Sequence, residues 1–129
     1  MTLYLENGWF EPGDEQKLRS EVVDGAMDMA GTLIRANVSA QTLHGLALKV
    51  RSSITVVDPQ MKGVDEFGAR VREIVLQRIQ DQTEQVPELH AFVTDCLENI
   101  QKPSDLMGFY LHLVHISRMV QLLGQASVG

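Results

Sequence analysis

Apolar residues recur every three or four positions over most of this chain, and turn-forming residues interrupt them at intervals that suit helices. Leu18, Val22, Ala26, Met29 and Leu33 predict a first helix over residues 14–36, with Asp14 as N-cap, Glu15 at the positive helix start and Asn37 as the stop. A second helix starts at Ser39 and carries Leu43, Leu46, Ala47, Val50, Ile54 and Val57. Its end, residues 54–57, is β-branched and suits extended backbone as well, but the unbroken periodicity favours helix. Asp58-Pro59 should stop it, because a residue before proline disfavours helical backbone. After Gly63, Asp65 is placed to cap a third helix with Phe67, Val71, Ile74, Val75 and Ile79 inward. Its other face holds Arg70, Arg72, Glu73, Gln77 and Arg78, and residues 80–85 are its frayed last turn or a loop.

Pro87 suits the first position of a fourth helix, whose Leu89, Phe92, Val93, Cys96, Leu97 and Ile100 form the cleanest apolar stripe in the chain. Lys102-Pro103 ends it. Pro103, Ser104 and Asp105 open a fifth helix, reaching about residue 123, that is apolar around most of its circumference. Such a helix is either central in a bundle or covered by a second subunit. Before the helices, Asn7-Gly8 lies between β-prone residues and suits a tight hairpin turn, ended by Pro12-Gly13. The pattern therefore predicts an all-α, single-domain bundle of about five helices over residues 1–129. Residues 1–13 form a β-hairpin or arm, and residues 124–129 a loose tail.

Length and composition agree with this reading. At 129 residues the chain can bury roughly two thirds of the surface its unfolded form exposes, so no metal or disulfide is required to fold it. The single cysteine, Cys96, excludes an internal disulfide and favours a reducing compartment. No basic, apolar leader opens the chain, and no run approaches the ~18 apolar residues of a membrane span, so the cytoplasm is expected. The net charge of −6 is uneven: residues 1–28 carry seven acids and two bases, residues 29–80 four acids and seven bases, and residues 81–129 six acids and two bases. The total argues against direct nucleic-acid binding, which needs clustered positive charge. The mildly basic middle reads as solvated helix faces.

The fifth helix carries the most distinctive polar strip: His112, His115 and Arg118, continued by Gln121, at spacings of three. It reads as the solvent side of the helix or as a partner or anion contact, pH-sensitive through its histidines. A metal site on His112 and His115 fits less well. Helical zinc pairs sit four apart, di-iron bundles need Glu-x-x-His, and Cys96 lies on an apolar stripe. No metal or other cofactor is therefore expected. Trp9 and Phe10 are candidates for a partner contact or for a plug at the bundle end.

His44 lies off the apolar stripe of the second helix, with Gly45 beside it and Lys49 and Ser52 following. In this the chain resembles histidine phosphotransfer domains, which are acidic helical bundles of about this size with an exposed histidine. The resemblance implies His44 as the phosphoryl acceptor. The chain departs from that family's pattern where a lysine and then a glycine should follow one turn on, holding Ala47 and Leu48 instead.

No dinucleotide or phosphate loop, nucleophile elbow or paired-cysteine motif is present, and no nucleophile–base pair stands out. The expected function is that of a regulatory or adaptor protein acting on another protein, of chaperone, immunity, antitoxin or inhibitor type. It would use His112, His115, Arg118, Gln121, Trp9 and Phe10, with a homodimer through the fifth helix as one form. Phosphotransfer through His44 and metal or anion binding through His112 and His115 are the alternatives.

Overall fold

The computed structural model describes residues 8–61, 67–100 and 103–128, with side chains described at all of these except 14–16, 54–61, 67–70, 82, 103, 104 and 124–128. A two-stranded antiparallel hairpin, β1 (Phe10–Glu11) and β2 (Asp14–Leu18), precedes five helices: α1 (Ser20–Arg35), α2 (Ala40–Met61), α3 (Phe67–Thr83), α4 (Pro87–Glu98) and α5 (Pro103–Val128). The all-α bundle with a short N-terminal hairpin is thus the fold, but the hairpin sits further along than Asn7-Gly8 implied. Pro12-Gly13 is its turn rather than its end: proline presets φ at the first central position, and Gly13 supplies φ +80° at the second. Such a turn fits the twist of paired strands poorly, and the register slips beside it, with Glu11 opposite Asp14 but Phe10 opposite Leu18. The strand takes residues 14–18 away from the first helix, so Asp14 does not stand at the N-cap of α1. Arg19 is extended, at φ −62° and ψ 146°, and α1 starts one residue later.

Local signals set most other boundaries. α1 ends in a Schellman motif: Asn37 stands at φ +64°, its N–H bonds to Ile34 O at 3.0 Å, and Val38 N–H bonds to Leu33 O at 2.9 Å. Ser39 Oγ accepts the Thr42 N–H at 3.1 Å and so caps α2. Val86 is extended before Pro87, which opens α4 as its sequence implied. Two boundaries run past expectation. α2 passes through Pro59 to Met61. Proline's fixed φ is itself helical, and in a final turn it removes only one backbone bond. The α5 backbone continues to Val128, beyond the expected end near residue 123. The expected Asp65 cap lies outside the described residues.

The helices pack as a closed ring, α5 on α2, α2 on α3, α3 on α4, α4 on α1 and α1 back on α5, with α2–α5 the most extensive join and α1–α4 the least. The core inside the ring includes Val22, Leu33, Leu43, Leu46, Val75, Ile79 and the whole expected α4 stripe. From α5 it takes Leu106, Phe109, Leu113, Ile116 and Val120. That packing covers much of the apolar circumference of α5, while Met107, Leu122 and Leu123 stay exposed. The segment Asp105–Leu123 is also long and apolar enough to cross a bilayer by length and composition, with mean hydropathy 1.2, contrary to the expectation that no run approaches a membrane span. A helix at the centre of a bundle meets the same description.

Candidate functional site

The row His112, His115, Arg118 and Gln121 is not one solvent face. A helix turns about 100° per residue, so each step of three falls about 60° short of a full turn, and three steps carry the row halfway round the helix. His112 accordingly lies inside, with 0 % of its surface exposed, His115 is half-buried, and Arg118 and Gln121 are exposed. The His112 ring meets Trp9 edge-on at 5.8 Å and Phe92 at 5.7 Å. Burial, and then the charge of His115, push its pKa down to about 3. His112 is therefore a neutral core side chain near pH 7, not a surface contact.

Trp9 and Phe10 close one end of the bundle. Trp9 is 1 % exposed; its Nε1–H donates to Asn99 O at 3.2 Å, and its ring meets Phe109 at 6.0 Å. Its seat depends on Gly108: a Cβ there would lie 2.8 Å from Trp9 Cβ and 3.2 Å from Phe10 Cε2. Trp9 is thus the plug, and its indole is not presented to a partner. Glycine inside a helix that must approach another segment closely was the available signal for this seat.

The exposed half of the row belongs to a different feature. Ala40, Gln41 and His44 at the start of α2 and Val114, Ser117, Arg118 and Gln121 of α5 line an open groove of about 490 Å³. Ser117 Oγ–H donates to Ala40 O at 3.0 Å and fastens the two helices at its floor. His44 is exposed on the α2 side, opposite Arg118 and Gln121. The structure thus joins residues that the sequence offered to two separate readings. Gln41, three residues before His44, shares its face and was legible from spacing. Ser117 and Val114 were not, because only the α2–α5 packing assigns them.

Among the described residues no acid lines the groove and no carboxylate pairs with Arg118. The start of α2 adds the positive end of a helix dipole. Metal chemistry finds less support: among the described residues no three His, Cys, Asp or Glu side chains gather as ligands. The Cys96 thiol is buried, and desolvation and then Asp95 push its pKa well above the usual value, which suppresses the reactive thiolate. No protein-family model matches this chain, and neither does any curated protein or solved structure.

Proposed function

We propose that this protein is a small regulatory or adaptor module that takes an acidic segment of another protein into the α2–α5 groove. The observation that carries this reading is a groove with, among the described residues, no acid in its lining and no carboxylate on its guanidinium, on a chain of net charge −6. On an acidic chain, an arginine in an open groove presents a local attraction against a repulsive background, which favours a compact anionic contact over a long polyanion. The volume suits several side chains of a partner rather than a lone ion. Arginine forks onto a carboxylate in two parallel hydrogen bonds, and Gln41, His44 and Gln121 add donors beside it. One helical turn beyond His44 and Arg118 stand Leu48 and Leu122, both exposed, so apolar contact flanks the polar centre on each helix.

The test is site-specific photo-crosslinking in extract of the source cells, with the probe at Gln121 and, as control, at Gln77 on α3. A discrete protein adduct from Gln121 alone, lost in Arg118→Glu, is the expected result. Identical adducts from both positions, or adducts indifferent to Arg118→Glu, would refute the reading.

A second reading has one observation in its favour. His44 is exposed and shares the groove with Arg118, which supplies across the groove the cation that the phosphotransfer resemblance expects one turn along α2. Incubation with acetyl phosphate should then add one acid-labile phosphoryl group, absent from His44→Gln. An unmodified mass would end this reading and leave the first untouched.

A further inference from the structure

The His112 ring touches two aromatic neighbours on different elements, and they are held very differently. Phe92 belongs to α4, inside the closed ring of helices. Trp9 belongs to the segment before β1 and enters the bundle by its side chain, seated on Gly108 and donating to Asn99 O. Its backbone is tied by the Arg19 N–H on Trp9 O at 3.0 Å, and Arg19 in turn is paired with Glu21 at 2.6 Å. None of the joins between helices runs through Trp9. Of these two aromatic neighbours it is the one that can leave without parting two helices.

Among the described residues, burial and then the charge of His115 oppose a proton on the imidazole. From the N-terminal segment it meets the uncharged indole. From α4 it meets Phe92, with the Cys96 thiol, held neutral by burial, one turn further on. On α5 itself His115 stands three residues on and disfavours a second positive charge. Asp105 stands two turns back on the same side, about 10 Å along the axis.

We propose that Trp9 and His112 form an acid-released latch, in which a proton taken up by the His112 ring drives the indole off its Gly108 seat while the five helices stay packed. The departing ring opens a path for water to the imidazolium, which removes the desolvation that keeps the closed form neutral. The sign follows from the two states. The open form binds the proton at about the ordinary histidine value of 6.5 and the closed form only near 3, so the closed-to-open ratio falls about tenfold for each pH unit between them.

Trp9 is the only tryptophan, so intrinsic fluorescence reads the latch directly. On lowering the pH from about 7.5 to 4.5, a range that spans histidine titration, the emission should shift to the red and acrylamide quenching should rise, while the far-ultraviolet helix signal holds. His112→Leu should keep the emission blue throughout that range. Gly108→Ala, which puts a methyl group where the indole sits, should be red at neutral pH with its helix content intact. In the wild type, proton NMR should show the His112 ring titrating in step with the indole N–H; this requires no variant to fold. A wild-type emission that stays blue overturns the latch. So does an indole signal that moves apart from the His112 titration, or a helix signal that collapses together with the fluorescence.

Discussion

The two ends of the histidine–arginine row on α5 are nine residues apart and chemically opposite. At His112 the helix faces aromatic rings, water is excluded and the titratable group is held neutral. At Arg118 and Gln121 the same helix faces an open groove, and a full charge stands there with no carboxylate beside it among the described residues. Equal spacing along a sequence therefore does not imply equal environment. A shortfall of about 60° at each step of three is small between neighbours and decisive over a row. Burial favours one protonation state at one end, and exposure leaves a charge available for recognition at the other.

Substitutions can break this contrast or sharpen it. The sealed end should respond most. Trp9→Ala empties the seat on Gly108 and should lower stability by about 3–5 kcal/mol, as large-to-small changes at buried aromatics do; denaturant unfolding measures it, and a wild-type midpoint would show that the seal bears no load. The next effect is that of pH. Because His112 is harder to protonate when folded than when unfolded, its contribution to stability is fully present above about pH 6.5. It declines by about 1.4 kcal/mol per unit as the pH falls toward 3, until the latch opens. Parallel denaturation curves of wild type and His112→Leu at neutral and mildly acid pH should diverge on acidification; constant separation would contradict the buried, neutral ring. Ser39→Ala removes the hydroxyl that caps α2 and should cost about 1 kcal/mol, read as a lowered melting temperature. Smallest of all, Arg118→Ala should leave stability within about 0.5 kcal/mol, as exposed substitutions do, while abolishing the adduct from Gln121. A large loss of stability there would place the arginine in the scaffold instead of the site.

The core was legible wherever a helix buries one regular stripe. Val71, Val75 and Ile79 of α3 and all six expected inward residues from Leu89 to Ile100 are buried, because periodicity and burial are then the same fact. Helix ends set by local chemistry were legible too, as Asn37 and Pro87 show, while Ser39, expected as the first residue of α2, is its cap. What failed required partners distant in sequence. Residues 14–18 read as helix because Leu18 is in phase with Val22, yet pairing with β1 across Pro12-Gly13 draws them into a strand. The groove joins Ala40 to Ser117 over a separation of 77 residues, which no local pattern encodes. His112 was misplaced because a histidine among leucines carries no sign of which side of the helix the aromatics will close.

The bond from Trp9 to Asn99 spans 90 residues, and that distance has a consequence for how the chain is built. A ribosome releases Trp9 before any of the five helices, yet its seat on Gly108 exists only once α4 and α5 have followed. Contacts so far apart in sequence form late, because the intervening chain must be ordered before they can close. During synthesis the indole must stay exposed while the 90 residues that separate it from Asn99 are made. Its emission in a refolding experiment would then record the final step of assembly rather than the first.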